Sequence, residues 1–171
     1  MKNNFDVFLT VDDSRWTAAI PEIAAVIENV KDVVLQEVSS TVEYLQLNKN
    51  FVANLCLSDD TTVHKLNLEF RGMDKPTNVL SFANIDSDDF DDMLEFDDEV
   101  EMGDIIIAYE TMEREAKEQE VSFEHHFCHL WVHGLLHIIG YDHIEEDERS
   151  NMERLETAIL AKLNIEDPYK E

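Results

Sequence analysis

With 171 residues, 44% of them apolar, the chain is long enough for one domain with a sizeable core, and it needs neither disulfides nor a metal to fold. Its 39 acidic and 13 basic residues give a formal net charge of −26. Such a charge argues against general nucleic-acid binding by phosphate neutralisation, and DNA is not an expected partner. The start, MKNNFDVFLTVDD, lacks the apolar stretch of a secretory signal, and no segment approaches the ~20 apolar residues of a membrane span. A cytoplasmic protein with no membrane contact is expected.

FDVFLTV (5–11) alternates apolar and polar residues, as a half-buried strand does. A helix is expected over 17–38, with Pro21 in its first turn and Ile23, Val26, Ile27, Val30, Val33 and Val34 at helical spacing. VEYLQL (42–47) and NFVANLCLS (50–58) look like two strands around Asn48-Lys49. A helix follows over 59–72, capped by Asp59 or Asp60 and ended by Gly72, with Val63, Leu66, Leu68 and Phe70 as its apolar surface. TNVLSFAN (77–84) is expected to be a short strand.

The segment 85–101 holds ten acidic residues and no basic one; removing it takes the charge from −26 to −16. Such a run is expected to be a solvated, mobile loop. An apolar strand (103–109) and a charged helix (110–120) follow, then a helix over 122–140 that begins at Ser122 and stays apolar for four turns. The last helix spans about 146–163, with Met152, Leu155, Ile159 and Leu163 along one face. Cys56 and Cys128 lie in apolar runs and are read as reduced core residues. This mixture, without strict βαβ alternation, points to an α+β fold: a single domain over 1–171, with a small mixed β-sheet, flanking helices and the helix of 122–140 at its centre.

That helix ends in HGLLHIIGYDH (133–143). His133 and His137 are four residues apart, ~6 Å in rise and ~40° in rotation, so both imidazoles can reach one ion. His143 would point to the opposite side of a continuous helix. It can join them only if the helix breaks and the chain turns back, and Gly140 stands where that break belongs. Three imidazoles are the ligand count of a catalytic zinc, with a fourth position left for water. His129 lies ~12 Å from His137 along the axis, too far to share the ion; it either supports the site from behind or packs in the core. His64, His125 and His126 are read as surface or packing residues. At 134, where zinc peptidases of the H-E-x-x-H type carry their glutamate base, this chain has Gly134. Open space above the metal for a bulky substrate is one reason for a glycine there.

HGLLHIIGYDH, together with NLEFRGMDKPTNVLSF (67–82), Gly103-Asp104 and EDPY (166–169), resembles the YbeY family of bacterial rRNA-maturation endoribonucleases over most of the chain. The resemblance implies a zincin-like α+β domain with one Zn²⁺ per chain, bound by His133, His137 and His143. It implies a single-strand-preferring endoribonuclease of the bacterial cytoplasm that acts in 16S rRNA 3′-end maturation and ribosome quality control. Its partners would be rRNA and the small ribosomal subunit with its assembly factors. It carries a catalytic arginine onto Arg71, which with Lys65 and Lys75 forms the local basic cluster of an acidic chain. A guanidinium there can grip phosphate oxygens in two-pronged fashion. Asp142 could orient one of the imidazoles. Two other readings stay open at this point: a zinc peptidase or other amide hydrolase, and a non-catalytic ribosome-assembly factor with a structural zinc site.

Overall fold

The computed structural model describes residues 4–142 and 145–169. Four strands, β1 (Phe5–Val11), β2 (Asn50–Ser58), β3 (Val79–Ala83) and β4 (Glu99–Ala108), form one sheet in the order β1-β2-β4-β3. β1, β2 and β4 run parallel, and β3 is an antiparallel edge strand. The helices are α1 (Arg15–Ala19), α2 (Ile23–Val38), α3 (Asp60–Arg71), α4 (Phe90–Phe96), α5 (Tyr109–Glu118), α6 (Phe123–Ile139) and α7 (Glu146–Lys162). This is the α+β architecture with a mixed sheet that the sequence predicts. α6 is the central helix: Phe127, Trp131, Val132 and Leu136 are fully buried within it.

Three local expectations need correction. The helix expected over 17–38 is two helices, because Pro21 disfavours the helical conformation of Ile20, which sits at φ −130° and ψ 87°. Residues 42–47 are not a strand; Glu43–Gln46 is a short 3₁₀ turn. β2 already has β1 on one edge and β4 on the other, so no edge is left for a hairpin partner. Tyr44 instead donates its hydroxyl to Ile139 O at 2.5 Å, and Leu45 is buried.

The acidic segment is not a loop throughout. Asn84–Asp86 forms a 3₁₀ turn, and α4 follows with Phe90 buried edge-on against the Tyr44 ring, centroids 5.6 Å apart. β4 then starts within the acidic run, four residues before the expected strand. Alternation places Val100 and Met102 in the core and Glu99 and Glu101 in solvent. Cys56 is also not a core residue. It lies half-exposed on the outer sheet face, its thiol donating to Asp12 Oδ2 at 3.2 Å, and burial together with that carboxylate pushes its pKa up to about 12. Cys128 is buried, and both cysteines are free thiols.

Candidate metal centre

α6 is delimited by its own residues. Ser122 Oγ accepts from His125 N at 3.1 Å, satisfying one of the free amides at the N-terminus. At the other end Gly140 adopts φ +132°, a conformation that strains a residue with a Cβ. Gly140 N and Tyr141 N both bond back to Leu136 O, at 3.1 and 2.9 Å, which closes the helix. The break required for His143 to approach is therefore present. His143 itself lies outside the described residues.

His133 and His137 stand on one face of α6 with ring centroids 5.4 Å apart and planes at 79°. Both line a cavity of about 360 Å³ whose other walls come from α3, the segment after it and β3. Arg71, Lys75, Asn67, Asn78 and Ser81 line it, and among the described residues no carboxylate does. Arg71 thus shares the cavity with the two histidines. Its Nη2 donates to Ser81 O at 2.7 Å, and the guanidinium lies 5.4 Å from the centre of the Phe82 ring. Among the described residues no carboxylate pairs with it, so a backbone carbonyl and an aromatic face hold it in place. Lys65 does not line the cavity. It sits six residues before Arg71 on one helix, which rotates it by ~240° to another face.

Two asparagines fix the walls. Asn67 is buried in α3 and donates Nδ2 to Lys75 O at 2.8 Å, holding the turn that carries Lys75. Asn78 donates to Glu115 Oε1 at 2.9 Å and accepts from Val79 N at 2.7 Å, which anchors the start of β3. Glu115 in turn meets His126 Nε2 at 2.9 Å. Burial pushes the Glu115 carboxyl up, but the hydrogen bonds from His126 and Asn78 outweigh it and hold it below the ordinary carboxylate range. His126 is thus a buried packing residue, 3% exposed.

Behind His133 lies a carboxylate that the sequence reading missed. Glu156 of α7 is 1% exposed, and its Oε1 lies 3.3 Å from His133 Nδ1 and 3.0 Å from His129 Nε2. Tyr169 donates its hydroxyl to both carboxylate oxygens at 3.0 Å. Burial pushes the Glu156 carboxyl up, but the bonds and charge of the two histidines prevail and bring it to about 2. One signal was available in the sequence. Glu156 occupies the apolar stripe of α7 between Met152 and Ile159, a position a solvated glutamate would avoid. His129 supports His133 through this shared carboxylate and does not line the cavity.

Gly134 does not open space above a metal. It is buried and faces the sheet, where an added Cβ would lie 2.9 Å from Ile105 Cγ2 and 3.2 Å from its Cδ1. The glycine allows α6 to pack closely on β4.

The described donors fit a histidine-bound metal. Two imidazoles share a helix face at the right spacing, and a metal-ligating histidine characteristically has its other ring nitrogen on a carboxylate, as His133 Nδ1 has Glu156 Oε1 at 3.3 Å here. Among the described residues no group of three His, Cys, Asp or Glu side chains could hold an ion. A three-ligand set therefore needs a donor from outside them, where His143 lies. A larger groove of about 600 Å³ on the outer sheet face is lined by Leu66, Phe70, Phe82, Ile106 and Asp104. Among the described residues that line it there is no imidazole and no cation, and the candidate site is the cavity that joins His133 and His137 to Arg71 and Lys75. Leu68 and Phe70, expected as part of the apolar surface of α3, are 49% and 62% exposed.

The fold and site define an α+β domain whose central helix presents paired histidines to a cation-lined cavity. The family model described as Endoribonuclease YbeY matches residues 18–164. A curated relative from Paramagnetospirillum magneticum, named Endoribonuclease YbeY, is 38% identical over 171 residues, covering 100% of this chain and 99% of its own length. Another of the same name from Sinorhizobium fredii is 39% identical over 166 residues, covering 96% of this chain and 91% of its own. The solution structure of TM1509 from Thermotoga maritima shares the fold, with a TM-score of 0.55 at 20% identity over 96% of this chain and 99% of that one. The chain belongs to the Endoribonuclease YbeY family. Among the described residues no helix is long and apolar enough to cross a membrane.

Proposed function

We propose that the chain is a zinc-dependent endoribonuclease that prefers single-stranded RNA and acts in 16S rRNA 3′-end maturation and ribosome quality control in the cytoplasm. Its partners in this reading are rRNA and the small ribosomal subunit with its assembly factors. The names of its relatives support endoribonuclease chemistry. The structural observation that carries the reading is the charge of the cavity. In a chain of net charge −26, the cavity that His133 and His137 line holds Arg71 and Lys75 and, among the described residues, no carboxylate. Such a lining suits a phosphate. None of the ten carboxylates of the 85–101 segment lines it.

His133, His137 and His143 would hold the zinc, which when bound supplies a Lewis acid for a phosphoryl oxygen and lowers the pKa of water. Arg71 would grip the scissile phosphate. One of its five N–H groups is committed to Ser81 O, which fixes the plane of the guanidinium and aims the fork. Lys75 adds a second positive charge on the same wall. Asn67 holds the turn that carries Lys75, and Asn78 anchors β3, which carries the Ser81 carbonyl that Arg71 bonds. The fit to a peptidase is weaker. Position 134 faces Ile105, so a glutamate there would not reach the cavity to act as a base.

The test is hydrolysis of single-stranded RNA, double-stranded RNA and peptides, each with zinc and with chelator. Zinc-dependent cleavage confined to single-stranded RNA is the expected result. Peptide hydrolysis without RNA cleavage would overturn the reading. Association with small ribosomal subunits without any cleavage would move it to a non-catalytic assembly factor.

A further inference from the structure

We infer that Glu156 is a positioning residue of the metal centre, and that Tyr169, in the C-terminal EDPY segment, is the strap that holds it. The inference rests on the proposed zinc reading and adds residues that reading does not use.

The argument starts from hydrogen-bond chemistry. An ionised carboxylate only accepts, so the ring nitrogen facing Glu156 must donate. At His133 that nitrogen is Nδ1. A neutral imidazole carries one N–H, so a proton on Nδ1 makes Nε2 the lone-pair nitrogen, the one a metal needs. Glu156 therefore selects the tautomer of His133 as well as its ring orientation. Water cannot take over this task, because Glu156 is 1% exposed.

A buried carboxylate needs several donors to remain ionised, and the fold supplies them from three places. His133 and His129 reach Glu156 from successive turns of α6, and Tyr169 comes from beyond the end of α7. The tail is folded back for this purpose. Asp167 Oδ1 accepts from Tyr169 N at 2.8 Å and from Thr157 Oγ1 at 3.2 Å, which docks the segment on α7. The Tyr169 ring then stands edge-on to His129, centroids 5.5 Å apart, with its hydroxyl on both oxygens of Glu156. The EDPY string thus acquires a role at the metal centre although it lies some thirty residues after His137 in the sequence.

The experiment uses the full chain and the variants Glu156→Gln and Tyr169→Phe, with Leu35→Ala as a destabilised control whose side chain lies in the core of α2. Two quantities are read. The tautomer of His133 in metal-free protein is read by long-range ¹H–¹⁵N NMR. Zinc affinity is read by competition with a chromophoric chelator. Wild type is expected to show the Nδ1–H form of His133. Glu156→Gln should populate the Nε2–H form, since a carboxamide can present its own N–H₂ to Nδ1, and should weaken zinc binding by about 10–100-fold. Tyr169→Phe should weaken it within about tenfold, the loss of one supporting hydrogen bond. Leu35→Ala should leave affinity unchanged. An Nε2–H His133 in wild type, or Glu156→Gln binding zinc as tightly as Leu35→Ala, would overturn the inference. Wild type that binds no zinc would overturn the zinc reading instead, and the tautomer would still decide the role of Glu156.

Discussion

Substituting Gly134 by alanine separates two explanations for a glycine in the middle of the most buried helix. If the position faced open space, alanine would stabilise α6 by about 1 kcal/mol through helix propensity alone. The structure predicts otherwise. The new Cβ would lie 2.9 Å from Ile105 Cγ2, whereas carbon atoms pack at about 3.5–4.0 Å, so the helix or Ile105 must yield by about 0.6–1.1 Å. Ile105 has little room to yield. It is fully buried on β4, in register with Leu55 of β2 and Ser81 of β3. Overpacking of this kind costs about 1–3 kcal/mol, so after the propensity gain the net loss is about 0–2 kcal/mol. For a domain of this size that lowers Tm by up to about 8 °C. The decisive assay is a double-mutant cycle by urea denaturation. Ile105→Ala alone costs about 2–5 kcal/mol, but in that background Gly134→Ala should become stabilising by about 1 kcal/mol, because the obstructing methyls are gone. A Gly134→Ala variant that is stabilised by the full propensity gain in the wild-type background would refute the close-packing argument and restore the open-space explanation.

Arg71→Ala should lower the turnover of single-stranded RNA by about a hundredfold or more while zinc content stays at the wild-type level, as loss of a transition-state donor does; loss of zinc in that variant would make Arg71 structural. Metal content by mass spectrometry should give about one zinc per chain in wild type and none in His143→Ala, and zinc retained in the variant would exclude His143 from the ligand set. The Glu115 carboxyl titrates below its unfolded value because His126 and Asn78 bond to its charged form. Its contribution to stability is therefore present above the unfolded pKa of about 4.3 and is lost as pH falls through the folded pKa. The stability gap between wild type and Glu115→Gln should shrink as pH falls below ~4, and a gap that widens with acid would contradict the assignment.

What could be read from the sequence follows the range of the interaction involved. α3 and α6 were legible at both ends because their punctuation is local: Asp59 and Ser122 cap the amides three residues on, and Gly72 and Gly140 take positive φ where the helices stop. The histidine pair on one face of α6 is a matter of helical pitch alone. The 42–47 segment failed because strand pattern does not say whether a sheet edge is free, and β2 has none. The acidic run failed because charge conceals alternation; Phe90 and Val100 anchor it from the inside while their acidic neighbours stay solvated. Glu156 and Gly134 are matters of tertiary contact. One meets α6 from a different helix, and the other matters only because β4 passes beneath it. The pairing of Arg71 with the histidines depends on β3 bringing Ser81 to the C-terminal end of α3, which no local pattern encodes.

The rate of single-stranded RNA cleavage by zinc-loaded wild type, set beside zinc-treated His137→Ala under the same conditions, tests the central claim most directly. The account predicts cleavage by wild type that disappears on chelation and returns with zinc, and no cleavage by His137→Ala. Equal cleavage by both proteins, or none by wild type that demonstrably holds zinc, would contradict it.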